Sequence, residues 1–383
     1  MIIMSTRTID SCKKQEPSCC GDPDQKEPGK RSCCGPPATS NGGEIDEKVP
    51  GFVRWLATPA GNVPQIASKL TFIDHLGACK ARWALNRMNF MVPAGLYALG
   101  APTPDDPVVV TCNYKMTYDI VRSALAGRNI WLLVLETFGV NVWCAAGKGT
   151  FGTDELVQRI TVTGLAHVVN HRRLLLPILG APGIAAHEVT KRTGFAITYA
   201  AIRASDLPVF LDNGRATTPE MRELTFTFYE RLILVPVELL LGLRMALAIA
   251  VCLFIIGSLM GGTTAGIKVC LAYLGAMVTG AVFGPVLLPW LPGRSFSVKG
   301  ATVGLIWSMT WYLLAVGGSW HSATTIAAFL ALPAVSAFST LNFTGCSTYT
   351  SRTGVKKEMR LSLPVMAGAI AVSALMLLIS NFR

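Results

Sequence analysis

Val108-Val109-Val110-Thr111-Cys112 is a run of mostly apolar, β-branched residues that predicts a buried β-strand. Met116–Leu125 follows with helical spacing and is expected to end at Gly127, after which Asn129–Leu135 predicts a second strand. The alternation continues with elements that we predict at 153–169 (helix), 174–179 (strand), 184–191 (helix) and 195–201 (strand). Strands that alternate with helices are typical of a parallel sheet with right-handed crossovers, so the sequence predicts a Rossmann-like α/β domain.

One cysteine stands out in the segment after the second strand, Asn141-Val142-Trp143-Cys144-Ala145-Ala146-Gly147-Lys148. Several of its neighbours are small, which lets the backbone come close to a large flat partner. A short helix containing Cys144 would place the sulfur near a helix N-terminus, where the helix dipole and Lys148 favour the thiolate. Packing in a core is the commoner role of a lone cysteine, and the residues by themselves leave both interpretations open.

Two nucleotide-binding motifs fail in the same region. Gly147–Gly152 has the spacing G-x-G-x-x-G, but that fingerprint needs a strand directly before it and an acidic residue about 20 positions later. The predicted strand ends too early, and residues 170–173 include no acid. A P-loop also fails, because Gly149 follows Lys148 where Ser or Thr is required. The hydrolase motifs G-x-S-x-G and H-E-x-x-H are absent from the sequence as well.

The composition changes along the chain. Apolar residues make up 51% of the 383 residues and charged residues 15%, and the apolar excess lies beyond Leu232. Five runs there approach the ~20 residues that cross a membrane, near 245–262, 269–290, 301–317, 322–341 and 361–380. We therefore predict a disordered tail over 1–50, an α/β domain over 51–218 with an early helix at Phe72–Met88, a linker helix over 219–244 and a five-helix membrane domain over 245–383.

The distribution of charge predicts how the chain crosses the membrane. The formal net charge is +11, and the two loops on the side of the α/β domain contain Arg294, Lys299, Arg352, Lys356, Lys357 and Arg360. Cytoplasmic loops are typically basic and the polar N-terminus has no secretory signal, so we predict a cytoplasmic α/β domain and an external C-terminus. The aromatic residues do not alternate with a basic stripe, which argues against nucleic-acid binding. Because the spans contain few ionisable residues, an anchor is favoured over a transporter.

The N-terminal tail contains an imperfect repeat, because Ser18-Cys19-Cys20-Gly21 recurs as Ser32-Cys33-Cys34-Gly35. Low hydrophobicity and a high content of Pro and Gly predict disorder. Adjacent thiols suit a soft metal ion, and incidental cysteines in a flexible tail are the equal alternative. The spacing is not C-x-x-C, so a structural zinc site is only weakly supported.

The segment Asn141–Lys148 resembles the signature of the membrane-bound corrinoid proteins of microbial mercury methylation (HgcA type), which are related to the large subunit of the corrinoid iron-sulfur protein. Other segments are similar to that family: 92–97, 111–116, 181–189, 203–206 and 343–345. The resemblance covers about residues 55–383, and the cysteine repeats of the tail depart from the family pattern. It implies a Rossmann-like corrinoid-binding domain with a cap helix, followed by five transmembrane helices in the prokaryotic inner membrane.

The resemblance implies a cobalamin-type corrinoid as cofactor, with Cys144 as the catalytic residue and the lower axial ligand of the cobalt. The corrinoid would contact the residues Asn141, Val142, Trp143, Cys144, Ala145, Ala146, Gly147, Lys148, Gly149 and Thr150. Methyl transfer to a thiolate complex of Hg(II) would then give methylmercury. Consistently, the histidine-ligand motif D-x-H-x-x-G is absent, because no Asp lies two residues before any of the five histidines.

The resemblance also implies partners. A ferredoxin-like [4Fe-4S] protein would reduce the cobalt, and a folate-type compound or its methyltransferase would supply the methyl group. No iron-sulfur cluster is expected in this chain. The resemblance assigns no role to Cys19, Cys20, Cys33 and Cys34, and one hypothesis is that they capture Hg(II) as a soft metal ion and hand it towards the corrinoid. The alternative is a membrane-attached corrinoid methyl carrier of one-carbon metabolism (acetyl-CoA pathway type) with a different acceptor.

Overall fold

A mixed β-sheet followed by long helices makes up the described part of the chain. The computed structural model describes residues 49–315, 317–346, 350 and 352–381, so the cysteine repeats of the tail lie outside the described residues. Within that part the sheet has seven strands in the order β1-β2-β3-β5-β4-β6-β7. They are β1 Phe52–Thr58, β2 Gly61–Ile66, β3 Gly95–Leu99, β4 Val108–Cys112, β5 Ile130–Leu135, β6 Arg173–Leu176 and β7 Ala196–Tyr199. An α/β domain followed by a helical region is therefore confirmed.

Four strands form the parallel sheet that the sequence predicts. β4 is parallel to both β5 and β6, and β6 is parallel to β7. In this register Val108 lies opposite Trp131 on one side and Leu174 on the other. All residues of β4 and β5 are buried, as expected for strands that are covered on both faces.

The sequence does not predict the other three strands, and the sheet is mixed rather than wholly parallel. β1 and β2 form an antiparallel hairpin, β2 is parallel to β3, and β3 is antiparallel to β5. Pro64 lies within β2, and Gly61 and Gly95 begin β2 and β3. Pro and Gly are uncommon inside strands, so these segments resemble loops in the sequence.

The helices of the α/β domain differ from the predicted ones at their ends. They are α1 Phe72–Arg82, α2 Lys115–Ala124, α3 Val142–Lys148, α4 Thr153–Val162, α5 Leu165–Val168, α6 Ala186–Thr193 and α7 Leu207–Asp212. α1 does not extend to residue 88, because Ala84 and Asn86 have left-handed φ angles. The predicted helix over 153–169 is interrupted by Gly164, which is also left-handed. The predicted strand over 174–179 ends at Leu176, and a 3₁₀ turn over Ile178–Gly183 follows Pro177.

The strand order identifies one edge of the sheet as the place for a ligand. From β4 the chain passes first to β5 on one side and then to β6 on the other. The crevice at the carboxyl ends of strands where the winding changes direction is the usual ligand site of doubly wound sheets. Here that crevice lies between β4 and β6, next to α3.

Candidate membrane helices follow the α/β domain. The helices are α8 Phe228–Val278, α9 Gly284–Val286, α10 Phe296–Leu314, α11 Ser322–Asn342 and α12 Arg352–Asn381. Among the described residues, three stretches are long and apolar enough to cross a membrane: Phe228–Val286, Ser322–Asn342 and Thr353–Ile379. α10 is not among them, so the predicted number of five spans stays a prediction.

The longest of these stretches reverses direction within α8. Gly261 and Gly262 have non-helical backbone angles. A Cβ atom added to Gly257 would lie 3.0 Å from the Cα atom of Gly266. A continuous helix would separate these two residues by ~13 Å along its axis. α8 therefore consists of two helices packed side by side, which agrees with separate predicted spans at 245–262 and 269–290.

A buried ionic cluster joins α1 to α2. Lys115 Nζ lies 2.5 Å from Asp74 Oδ1 and 2.5 Å from Asp119 Oδ2. Arg122 donates to Asp74 Oδ2 at 2.9 Å, to Asp119 Oδ1 at 2.8 Å and to the carbonyl oxygen of Ala67 at 2.6 Å. The side chain of Arg122 is completely buried. The cluster thus ties the chain before α1, α1 itself and α2 to one another.

We predict that Arg122→Met destabilises the protein by about 3–5 kcal/mol, because it leaves two carboxylates buried without this partner. The check is unfolding of the detergent-solubilised full chain, followed by near-ultraviolet circular dichroism. Arg128→Ala is the control, since the Arg128–Asp212 pair at 2.6 Å is largely exposed, and it should leave the unfolding midpoint unchanged. Equal stability of Arg122→Met and the wild type would contradict the prediction.

The same cluster should make stability depend on pH. Burial by itself raises the pKa of Asp74, but hydrogen bonds from Lys115 and Thr71 outweigh it and hold that pKa well below its usual range. The stabilisation is therefore complete above the unfolded pKa of about 3.9 and is lost as the pH falls towards the folded pKa. Accordingly, the stability difference between the wild type and Asp74→Asn should be largest near neutral pH and shrink below about pH 4.

Candidate functional site

The helix α3 carries Cys144 at the carboxyl edge of the sheet. Asn141 is its N-cap, and the side-chain Oδ1 atom of Asn141 accepts a hydrogen bond from the backbone N–H of Cys144 at 3.0 Å. Gly149 ends the helix with a left-handed φ of 83°. Cys144 is the third residue of α3, and its side chain is exposed. The predicted short helix with the sulfur near its N-terminus is therefore present.

The inner face of α3 is fixed by close packing. Val142, Ala145 and Ala146 are buried in the core of the domain. Gly183, in the 3₁₀ turn after β6, approaches this face so closely that an added Cβ atom would lie 2.2 Å from the carbonyl oxygen of Phe151 and 3.0 Å from the Cα atom of Ala146. No side chain other than hydrogen fits there, so Gly183 determines how far α3 stands above the sheet.

The outer face of α3 is open and flat. Cys144, Gly147 and Lys148 are exposed. An added Cβ atom at Gly147 would meet no atom of the described residues within 4 Å. A planar ligand can therefore lie against this face without displacing a side chain at that position.

The electrostatic environment of Cys144 differs from the predicted one. Desolvation by the protein on the inner side raises the pKa of the Cys144 thiol, and the positive charges of Lys148 and Arg87 oppose that shift. The pKa of the free thiol is therefore raised and not lowered. Lys148 acts in the predicted direction, but desolvation is the larger effect.

A cavity of about 250 Å³ lies beside α3 between β4 and β6. It is lined by residues of both strands, of α3 and its N-cap, and of the segment after β7, among them Thr111, Asn141, Trp143, Leu176 and Arg203. Thr111 is 1% exposed, and its hydroxyl has no hydrogen-bond partner in the described part of the chain. A buried polar group without a partner costs free energy, so Thr111 marks a place where a ligand atom can form a hydrogen bond.

Segments that are far apart in the sequence meet at this site. Thr111 belongs to 111–116, Gly183 to 181–189 and Arg203 to 203–206, and each of these was singled out by its resemblance to one family. All three lie at the cavity or against the inner face of α3. The structure therefore brings these segments together with Asn141–Lys148, whereas 92–97 and 343–345 do not line the cavity.

Other ionisable residues have structural roles. His171 Nε2 lies 2.9 Å from the carbonyl oxygen of Asp106, and the side chain of Asp106 accepts from Thr103 N at 2.6 Å in the turn before β4. Among the described residues no group of three or more His, Cys, Asp and Glu side chains could hold a metal ion. Cys19, Cys20, Cys33 and Cys34 lie outside those residues, so their predicted role stays a prediction.

Sequence reasoning assigned no role to the hydroxyl of Thr111 or to Arg87. Thr111 follows three valines and is indistinguishable from a strand residue that only packs. Arg87 is 57 residues before Cys144 and is close enough for its charge to lower the pKa of the thiol. Only the folded chain brings the two together.

The α/β domain has a cavity where the winding of its parallel strands changes direction, and a short helix with an exposed thiol lies beside that cavity. This arrangement is typical of ligand-binding domains of the doubly wound class. Residues 85–206, which contain α3 and every residue that lines this cavity except Leu207, match the family described as CO dehydrogenase/acetyl-CoA synthase delta subunit. The match ends before α7 and the candidate membrane helices.

Similar proteins include gamma subunits of the acetyl-CoA decarbonylase/synthase complex. The chain is 40% identical to that of Archaeoglobus fulgidus over 97 residues, which are 25% of this chain and 21% of the relative. It is 33% identical to that of Methanopyrus kandleri over 123 residues (32% and 26%) and 31% identical to that of Methanocaldococcus jannaschii over 124 residues (32% and 25%). The chain thus spans about a quarter of the length of these relatives. The predicted relation to the corrinoid iron-sulfur protein family is supported, and the mercury-methylating identity stays a prediction.

We predict that Gly183→Ala and Gly147→Ala have opposite effects. Gly183→Ala should cost about 1–3 kcal/mol of stability through overpacking and should shift α3. Gly147→Ala should leave stability unchanged or increase it by about 0.5–1 kcal/mol, because glycine is unfavourable within a helix. Unfolding of the full chain in detergent measures the first effect, and alkylation of Cys144, followed by peptide mass spectrometry, reports the position of α3. A stable Gly183→Ala variant with the wild-type alkylation rate would contradict this description of the contact.

Proposed function

We propose that the protein is a membrane-attached corrinoid protein that carries and transfers a methyl group. The observation that carries the proposal is the exposed thiol of Cys144 in the first turn of α3, at the edge of a domain whose residues 85–206 match a methyl-transfer complex subunit family. A bound corrinoid supplies a cobalt that accepts and releases methyl groups. Cys144 would hold the cobalt through its sulfur, and the surrounding segment Asn141–Thr150 would form the surface that holds the cofactor.

The residues of this site fit such a cofactor. The exposed outer face of α3, with its glycine at position 147, offers a flat surface for a macrocycle beside the sulfur. The cavity of about 250 Å³ is far smaller than a corrinoid, so only an amide side chain of the cofactor would enter it. The hydroxyl of Thr111 and the guanidinium of Arg203 are polar groups at that cavity that can bond such an amide.

The protonation state of the Cys144 thiol determines how it acts as a metal ligand. The raised pKa keeps the thiol protonated in the free protein, and coordination requires the thiolate, so binding releases a proton. Lys148 and Arg87 then stabilise the thiolate that results. As an anionic ligand, the thiolate of Cys144 would supply electron density to the metal, which would favour transfer of a methyl group to a soft electrophile.

We further propose the partners that this chemistry needs. A ferredoxin-like [4Fe-4S] protein supplies the electrons that keep cobalt reduced, and a folate-type donor or its methyltransferase supplies the methyl group. Cys144 lies on the outer surface, so both can approach without opening the domain. The relatives are named as subunits of a multi-subunit complex, which supports an assembly with protein partners.

Two functions fit this site, and they differ in the methyl acceptor. The relatives support a carrier of one-carbon metabolism, since they are named as acetyl-CoA decarbonylase/synthase subunits. The segment Asn141–Lys148 and the candidate membrane helices favour a second function, transfer to a thiolate complex of Hg(II) to give methylmercury. Cys19, Cys20, Cys33 and Cys34 would capture Hg(II) in that case.

For topology we propose a cytoplasmic α/β domain, five spans in the inner membrane and an external C-terminus. The reversal in α8 adds one crossing to the three candidate stretches, and α10 adds another. The basic residues of the two loops remain on the side of the α/β domain in this arrangement.

We predict that Cys144→Ala changes the visible spectrum of bound cobalamin, whereas Cys79→Ala, which removes another exposed thiol, leaves it unchanged. The full chain is loaded with cobalamin in detergent and its spectrum is recorded against pH. In the wild type the coordinated form should increase as the pH rises, because the thiol must lose its proton. If Cys144→Ala and the wild type have the same spectrum at every pH, the ligand assignment is wrong.

The methyl acceptor is identified in an assay of the full chain, loaded with cobalamin and methylated. We expect Hg(II) bound to a small thiol to be methylated at least about tenfold faster than by free methylcobalamin, which corresponds to about 1.4 kcal/mol of barrier. Cys144→Ala should lose this acceleration. A rate equal to that of free methylcobalamin, together with rapid methyl exchange with a folate-type donor, would exclude the mercury function and leave the carrier.

A further inference from the structure

The helix α1 has large apolar side chains on its exposed face. Phe72 is 78% exposed, Ile73 77%, Leu76 41% and Trp83, directly after the helix, 50%. With Cys79 and Lys80, which are also exposed, these positions follow the spacing i, i+1, i+4, i+7, i+8, i+11 of a single helix face. A contiguous apolar surface of this kind marks an interaction site in a protein that folds on its own.

The opposite face of α1 explains why the apolar side is turned outwards. That face holds Asp74, which is 7% exposed and is bound by Lys115 and Arg122, and the buried Ala81. An ordinary amphipathic helix packs its apolar stripe inwards. Here the ionic cluster fixes Asp74 on the inside, and the stripe of Phe72, Ile73, Leu76 and Trp83 must face away from the domain.

The helix α1 lies beside the candidate membrane helices. α1 contacts α8, the first candidate membrane helix. Phe226, just before α8, stacks on Phe343 and belongs to one buried cluster with Leu288, Phe296 and Leu341, which lie at or near the ends of other apolar helices. Nearby, the guanidinium of Arg231 lies 5.6 Å from the ring centre of Trp290, which is 67% exposed. Exposed Trp at a helix end is typical of the lipid–water interface, so the start of α8 is at the level of the headgroups.

The charge around α1 suits an anionic lipid surface. Residues 69–91 contain Lys69, Lys80, Arg82 and Arg87, and their one acid is Asp74. Asp74 is buried and neutralised by the ionic cluster, so the outward charge of this segment is positive. A helix with an apolar face, a flanking Trp and basic residues is the pattern of interfacial helices that lie in the plane of an anionic membrane.

We propose that α1 lies in the headgroup region of the same membrane that α8 enters, with Phe72, Ile73, Leu76 and Trp83 immersed and the exposed Lys69 and Lys80 on anionic headgroups. α1 contacts α8, whose start is at the level of the lipid headgroups, so lipid is always available to the apolar face of α1. Arg87, which follows α1, acts on the Cys144 thiol. Docking of α1 therefore holds the site of Cys144 close to the membrane surface and in one orientation. The proposal does not depend on the cofactor or the methyl acceptor.

The test measures contact between Trp83 and lipid. The full chain is placed in nanodiscs of phosphatidylcholine and phosphatidylglycerol whose acyl chains are brominated near the headgroup. Because the chain has 8 Trp, the emission of Trp83 is taken as the difference between the wild type and Trp83→Phe. We expect brominated lipid to quench at least half of that difference. Trp131→Phe is the control, since Trp131 is 2% exposed within β5 and its emission should not be quenched.

A charge variant tests the face itself. Ile73→Glu with Leu76→Glu should abolish the quenching of Trp83 and leave the unfolding midpoint in detergent unchanged, because both side chains are exposed. Val162→Glu with Val209→Glu adds the same charge at exposed positions elsewhere on the domain and should leave the quenching as in the wild type. A wild type without quenching of Trp83 overturns the proposal. If quenching then emerges on deletion of residues 1–48, the tail covers this face; if it does not, the face is left for a protein partner.

Discussion

A backbone contact that leaves no room for a side chain holds the site together. Gly183 meets the carbonyl oxygen of Phe151 and the backbone of Ala146, and it thereby seats α3 on the turn that follows β6. α3 has only seven residues, and a helix of that length is not stable on its own in water. Its geometry therefore depends on this contact and on the Asn141 cap. Together they present Cys144 at the edge of the sheet where the winding of the strands places the cavity.

The end of α3 and the turn that follows it explain why the sequence contains a misleading motif. In Gly147–Gly152 each glycine has a role that needs no dinucleotide. Gly149 ends α3 with a left-handed φ, and Gly152 approaches the carbonyl oxygen of Gly149 so closely that an added Cβ atom would lie 2.7 Å away. Gly147 keeps the outer face flat.

The parallel strands and α3 could be predicted because strand runs and helix caps are local features of the sequence. The pKa of Cys144 and the unpaired hydroxyl of Thr111 could not, because both depend on neighbours from distant segments.

α1 illustrates a different limit of sequence reasoning. Its periodicity identifies an apolar stripe, and the ordinary rule would turn that stripe towards the core. The outcome is decided elsewhere in the chain, because Lys115 and Arg122 on α2 bind the carboxylate of Asp74. Once one charged side chain is buried, side chains of opposite charge must be buried with it, since an unpaired buried charge costs several kcal/mol. The preference of Asp74 for its partners therefore overrides the preference of Phe72 and Ile73 for burial, and it creates an apolar surface that the membrane can cover.

The two positive charges near Cys144 favour a state in which its sulfur is ligated as a thiolate. In the free protein the thiol is neutral and two cations, Lys148 and Arg87, stand near it without an anion at the sulfur. A ligand that takes up the sulfur as a thiolate creates that anion, so the two cations favour the ligated state over the free one. Arg87 belongs to the segment that immediately follows α1, whereas Lys148 belongs to α3. The position of Arg87 relative to the sulfur affects the free energy of forming the thiolate. The apolar face of α1 and a charge that acts on the Cys144 thiol therefore belong to a single short segment of the chain, residues 72–87.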